Sequence, residues 1–406
     1  MKIRSITYFF NPGWPLDELK FRAAGEFLKE AKARFESAGY EVQTIRLATG
    51  SFAALLGGKR LNETVKFAQA VEAAMQKIDV AYAAIGPATM DLPHSYRVIP
   101  EAIAATKNIF FSGEMASVEK GISLEAINAC AEIIVKCAPI TPDGFANLRF
   151  AALANVKAGS PFFPAAYHDG GEPAFAIATE AADLAVEAFA GAHTLDDGRR
   201  RLIESLERHA KQLVGAADLL KFKFNARFGG IDFSLAPFPD EQLSLGGAME
   251  RLGVRSVGLH GSLAAAAIIA EAIDRAQFPH TGFSGLLLPV LEDAVLAKRA
   301  AEGTLTIKDL LLYSAVCGTG LDTVPLPGDV TREQIAALLL DLATLGVRLN
   351  KPLTARLMPV PGKRAGEATG FDFAFFANSK VMPLDAQPLK PPFNGDETFL
   401  LRPRNS

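Results

Sequence analysis

The most chemically suggestive word in the sequence is Ser314-Ala315-Val316-Cys317-Gly318-Thr319-Gly320-Leu321-Asp322. A thiol follows an apolar run and precedes a Gly-x-Gly turn, a setting that exposes sulfur and lets backbone N–H groups reach a substrate oxygen. The thiolate is the reactive form, so Cys317 needs a nearby cation or helix N-terminus to lower its pKa. On this reading Cys317 is a nucleophile or proton donor. Gly318, Thr319 and Gly320 bind substrate, and Asp322 orients the acid/base group.

Five further words carry reactive side chains. In Ser160–Glu172, His168, Asp169 and Glu172 fall within five residues. His168 there is an acid/base or metal ligand oriented by a carboxylate, or it packs while Asp169 or Gly170 caps a helix starting near Pro173. In Arg227–Pro237, Asp232 and Ser234 alternate with Ile231, Phe233 and Leu235. A strand puts that carboxylate and hydroxyl on one face, which suits a barrel interior, a strand-end cleft or a solvated surface. His260 and Ser262 open an Ala-rich helix whose free N–H groups bind an anion, unless Ser262 serves only as a cap. Lys363, after Arg356-Leu357-Met358-Pro359-Val360-Pro361-Gly362, reads as an anion clamp. Ser284 and Asp293 end the apolar stretch Phe283–Asp293, where Asp293 reads as a solvated helix residue. Neither a Walker pattern nor a GxGxxG word is present. CxxC and HExxH are also missing, so a structural zinc is not expected. No cofactor is assigned. A divalent metal, if bound, would take His168, Glu172, Asp232 and Asp322, an oxygen-rich set.

These words must be held by elements, and the periodicities supply them. Strands are expected at 2–10, 41–47, 79–85, 109–111 and 148–154, with amphipathic helices at 16–38 and 62–77. A helix is expected at 173–189, another at 196–215, and a strand pair around 220–236. Helices follow at 262–275, 284–301 and 332–345, with strands at 353–359 and 371–376. Strand–helix alternation implies parallel pairing through crossover helices. No internal repeat or low-complexity linker divides the chain. One domain over 1–406 is expected, as an N-terminal half (1–150), a half carrying the site words (151–382) and a Pro-rich irregular tail (383–406).

The chain has 406 residues, 49% of them apolar, with a net charge of -3. Nothing there favours nucleic acid or an anionic membrane. The N-terminus lacks a signal-peptide pattern, and no apolar stretch reaches the roughly 18–20 residues of a membrane span. A cytoplasmic protein is expected. Three cysteines argue against a disulfide framework, and Cys130 and Cys137, seven apart on an apolar helix, read as buried thiols. High apolar content makes a homo-oligomer plausible.

Taken together, SPFFPAAYH (160–168), IDFSLAP (231–237), GFSGLLLPVLED (282–293), AVCGTGLDTVPLPGD (315–329), RLMPVPGK (356–363) and FFANSKVM (375–382) resemble an uncharacterised family, domain of unknown function 711, also called UPF 0210. The resemblance implies a single large α/β barrel similar to the pyruvate formate-lyase-like fold, with a central loop carrying Cys317. The radical-glycine word of such barrels is absent, since Ile99 and Pro100 follow Arg97-Val98. The expected activity is therefore a non-radical enzyme acting on a small polar metabolite in the barrel cavity, with His168 as acid/base and Asp232 and Asp322 orienting it. The alternatives are a non-catalytic metabolite-binding or scaffold protein and a divalent-metal-dependent hydrolase or lyase.

Overall fold

The computed structural model describes residues 1–316 and 318–404. Eleven strands are present among them: β1 (Lys2–Phe9), β2 (Val42–Ala48), β3 (Tyr82–Ala88), β4 (Ile109–Ser117), β5 (Gly121–Ser123), β6 (Phe150–Ala154), β7 (Ala174–Glu180), β8 (Arg227–Ala236), β9 (Gly320–Pro327), β10 (Leu353–Val360) and β11 (Thr398–Phe399). The helices are α1 (Glu18–Ser37), α2 (Phe52–Leu56), α3 (Thr64–Gln76), α4 (Ile99–Ala104), α5 (Leu124–Cys137), α6 (Ala182–Ala190), α7 (Leu195–Phe224), α8 (Leu245–Arg251), α9 (Ser262–Arg275), α10 (Ala294–Glu302), α11 (Ile307–Ser314) and α12 (Arg332–Arg348).

The local rules account for most of these elements. Asp17 caps α1 by accepting from the Leu19 and Lys20 amides, and the apolar face Phe21, Ala24, Phe27, Leu28, Ala31 and Phe35 turns inward at helical spacing. Asn225, in the left-handed region at φ 49, ends α7. Some expectations fail. The stretch 173–189 is not one helix; it is strand β7 followed by α6. The segment 220–236 is not a strand pair, because α7 runs on to Phe224 and only β8 follows. Residues 284–293 are irregular and the helix begins at Ala294. Residues 371–376 form a turn packed with phenylalanines instead of a strand.

The chain is mixed α/β. Its sheet runs β8-β7-β1-β2-β3-β4-β6-β10-β9, with β5 and β11 off that path. β1, β2, β3, β4 and β6 pair parallel. So do β7 with β8 and β9 with β10. The two outer pairs join the central five antiparallel, at β1/β7 and β6/β10. The regular ladder is open, since β8 and β9 do not pair with each other. Residues 279–292 run between them. On one side Ile231 N donates to Pro279 O, and Thr281 N and Leu287 N donate to Ile231 O and Ser234 O; on the other, Val290 N donates to Asp322 O. Parallel bridges Ile231↔His280 and Pro289↔Asp322 mark the same path.

The main apolar core lies between the sheet and its helices. The concave face is different. Partners on paired strands share a face, so Ser5 and Thr44, Thr7 and Arg46, and Phe9 and Ala48 project to the same side. Phe9, Ala48, Ala84, Phe110, Ala174 and Ala176 pack there against Phe163 and Ala166. Ala165 and the flanking Phe162 meet Phe283, Ala151 and Leu153. The loop that plugs the concave face is therefore 160–166. Cys317 itself, expected at the tip of a central loop, lies outside the described residues. No described helix is long and apolar enough to cross a membrane.

Candidate functional site

A cavity of about 520 Å³ opens over this face. Its polar wall is Arg4, Thr44, Arg46, Asp232, Ser234, Glu292 and Arg356, and Phe145, Phe373 and Phe375 contribute an apolar side. A larger outside groove of about 640 Å³ lies between α5 and the tail. Four of its charges pair with one another, Lys136 with Glu132 and Arg332 with Glu333, and these side chains are exposed. The concave cavity is the better candidate, because it gathers buried charge.

Three arginines set its electrostatics. Arg356 grips Asp322 through Nε at 2.5 Å and Nη2 at 2.9 Å, and Nη2 also reaches Glu292 at 2.8 Å. Arg4 pairs with the other oxygen of Glu292. Arg356 lies 5.5 Å from the Phe162 ring centre, so the plug supports the network from one side. Burial opposes ionisation of Glu292, but Arg4 and Arg356 outweigh it and hold the carboxyl below its ordinary value. Burial pushes Asp322 up against the pull of Arg356.

Arg46 has no such partner. Its Nε donates to Thr44 Oγ1 at 2.8 Å, and that hydroxyl in turn donates to Arg4 O at 2.8 Å. The guanidinium lies 5.0 Å from the Phe163 ring centre and 5.8 Å from that of Tyr82. Among the described residues no carboxylate pairs with it. Burial, reinforced by the Arg4 cation, lowers it to about 9, which still leaves it charged at neutral pH.

Asp232 shapes the opposite wall. It accepts from Phe283 N and Ser284 N, each at 3.0 Å, and from Ser234 Oγ. Burial raises its carboxyl despite these donors. It therefore fastens segment 279–292 to β8.

Residues 1–377 match the family described as Uncharacterised ACR (DUF711). The chain belongs to this family. A UPF0210 protein of Pyrobaculum arsenaticum is 34% identical over 277 residues, covering 66% of this chain and 61% of that protein. One from Ruminiclostridium cellulolyticum is 30% identical over 351 residues, covering 82% of this chain and 77% of the relative. One from Listeria monocytogenes is 28% identical over 367 residues, covering 86% and 81%.

In this DUF711 chain, Asp232 and Ser234 line the cavity, and Asp322 stands behind it as the partner of Arg356. His168 does not join them. Its Nε2 is 3.0 Å from Gly171 O and its Nδ1 is 3.3 Å from Asp169. Asp232 and Asp322 therefore do not orient it. Glu172 and Lys363 are exposed, and His260 is exposed in the turn before α9. Ser262 Oγ accepts from Gly258 N and donates to Leu259 O, so it closes that turn. Gly318 lies against the Phe283–Gly285 backbone, Thr319 Oγ1 donates to Leu286 O, and Gly320, at φ 92, lies so close to Thr354 that a side chain could not fit. Gly318 and Thr319 brace the wall of segment 279–292, and Gly320 lies against β10. Among the described residues no group of three or more His, Cys, Asp or Glu could hold a metal, so His168, Glu172, Asp232 and Asp322 do not form a ligand set. Asp293, expected on a solvated face, is fully buried and caps two helices: it accepts from Val295 N and Leu296 N of α10 and from Leu245 N and Gly246 N of α8.

Spacing did not single out Arg4, Arg46 or Glu292 at all, and it read Arg356 only as the start of the Lys363 word. The available signal was Thr44, Arg46 and Ala48 alternating with Ile45 and Leu47 on a strand whose apolar side faces helices.

Proposed function

We propose that this chain is a non-radical enzyme that binds a small polar metabolite in the concave-face cavity, within a barrel whose tenth stave is the irregular segment 279–292. The observation that carries this reading is the Arg4–Glu292–Arg356–Asp322 network on the cavity wall. Removing such ions from water costs several kcal/mol each, and well-packed apolar residues would stabilise a core at least as well. Charges retained under that cost, beside a cavity of ligand size, favour a functional site. In this reading Cys317 is the nucleophile or proton donor, and the loop between α11 and β9 presents it. The arginine wall holds the substrate, and Asp232 positions the facing segment.

The test is thiol reactivity against pH, together with depletion of a metabolite pool, in wild type and Cys317→Ser. Burial raises both other thiols, Cys137 to about 12, so they supply little background. A fast, acid-shifted thiol and a metabolite consumed only by wild type are expected. A slow thiol of ordinary pH profile with no metabolite consumed would refute the enzyme reading. A second reading, binding without chemistry, draws on His168: its ring is engaged with Gly171 and Asp169, and among the described residues no imidazole reaches the cavity. Ligand binding that survives Cys317→Ser with no turnover in either protein would favour that one.

A further inference from the structure

We infer that the cavity takes an organic anion, with its carboxylate or phosphate head on Arg46 and an apolar body toward Phe145, Phe373 and Phe375. This rests on the reading that the cavity is the ligand site. It deepens that reading by naming the ligand class.

The argument begins with charge matching. Arg4 and Arg356 are balanced by Glu292 and Asp322. Arg149, also on the lining, spends its guanidinium on the Ile103 and Thr106 carbonyls. Arg46 alone of the lining arginines has neither a carboxylate nor a backbone acceptor among the described residues, because its one bond is Nε to Thr44. Among the described residues both Nη groups remain free, and two parallel N–H donors are the fork that grips a carboxylate or phosphate. The Phe163 and Tyr82 rings hold the guanidinium and leave its outer edge for a ligand.

A second observation lies on the same face. The Thr7 and Ser5 hydroxyls, register partners of Arg46 and Thr44, are buried and have no hydrogen-bond partner among the described residues. Unspent donors beside an unpaired cation are a liability in an empty core and an asset beside an oxyanion. The lining also holds an aromatic cluster. Phe373 packs on Phe145 at 5.0 Å and on Phe375 at 5.3 Å. A lining that holds both an unpaired cation and an aromatic cluster suits a ligand with one charged end and one apolar end.

The test uses the full chain with phenylacetate, phenyl phosphate and inorganic phosphate as anionic probes, and phenylacetamide and benzyl alcohol as neutral ones. Binding is read by calorimetry and by thermal shift in wild type, Arg46→Gln, Arg46→Lys and the cavity-filling Ala178→Trp. At least one aryl anion should bind wild type more tightly than its neutral counterpart. Arg46→Gln should weaken it at least tenfold, and Arg46→Lys should recover part of the loss. The ligand-free Arg46→Gln chain should melt no lower than wild type, since the cation it removes is unpaired; a purely structural arginine would give the opposite. Preference for phenylacetate over phenyl phosphate assigns a carboxylate head, and the reverse assigns a phosphate. Inorganic phosphate binding as tightly as phenyl phosphate would remove the apolar body from the inference. Neutral probes that bind equally well, are blocked by Ala178→Trp and are indifferent to Arg46→Gln would overturn the anion inference and leave the cavity reading standing. No binding by any probe, or binding unchanged by Ala178→Trp, would overturn both.

Discussion

Replacing Arg356 by Met should destabilise the chain by about 3–5 kcal/mol, the usual cost of stranding a buried charge by deleting its partner. The structure says which charge is stranded. Glu292 keeps Arg4, whereas Asp322, fully buried, loses both of its bonds to Arg356. The penalty therefore belongs mainly to Asp322 and should be relieved by a second change. Arg356→Met with Asp322→Asn should recover at least half of the loss, because a neutral amide is far cheaper to bury than an orphaned carboxylate. With an unfolding entropy of roughly 2.1 cal/mol/K per residue, each kcal/mol moves the midpoint of a chain this long by about 1.2 °C, so the single variant should melt about 4–6 °C lower. Chemical denaturation of wild type, both single variants and the double variant closes the cycle. A single variant within about 1 kcal/mol of wild type, or a double variant no better than Arg356→Met, would refute the claim that Asp322 is held as a buried ion by this one cation.

Three other outcomes are expected. Glu292 is held below its ordinary value of 4.5, so its contribution is present above that value and is lost as pH falls through the lower folded value. Glu292→Gln should accordingly be clearly less stable than wild type at pH 7, and the gap should narrow in acid; a gap that widens below pH 4.5 would contradict the assignment. A Cβ on Gly285 would stand 2.7 Å from Gly318 N and 2.8 Å from its Cα, so Gly285→Ala should cost about 1–3 kcal/mol and alter the reactivity of the adjacent thiol loop. Unchanged stability and labelling rate would remove that contact from the account. Asp293→Ala strips caps from α8 and α10 together and should cost about 2–4 kcal/mol, measured by denaturant midpoint, against a single cap's typical 0.5–2; a loss within 0.5 kcal/mol would show that the two helices do not depend on it.

How much of this was legible follows from the range of each interaction. Helix α9 is read correctly to its ends because its Ala-rich periodicity and its turn are local. Strand β7, AFAIATE, reads as helix because alanine favours one; pairing with β1 and β8 overrides that propensity. Strand β9 carries Pro325 and Pro327, which argue against a ladder, yet it lies at the end of the regular path, where missing donors are tolerated. The site divides in the same way. Strand alternation is a local signal, and it put Asp232 and Ser234 on one face. Arg4 meets Glu292 across 288 residues and Arg356 meets Glu292 across 64, and no spacing rule reaches that far. His168 illustrates the converse case: its acidic neighbours in sequence suggest a catalytic group, and the same turn geometry engages the ring with its own loop.

On the proposed function, segment 279–292 is where a ligand would enter. Elsewhere around the concave face, parting two strands means breaking a row of register-locked backbone bonds. Between β8 and β9 the bonds are few, and one of the fasteners is the Asp232 carboxylate, which takes the Phe283 and Ser284 amides. Such a seam opens at lower free energy than a ladder, so amide exchange should be fastest there within the sheet. It also runs past Leu287 and Glu292, both on the cavity wall. On that reading the weakest line in the wall would also be a doorway, latched by a few backbone bonds and one carboxylate.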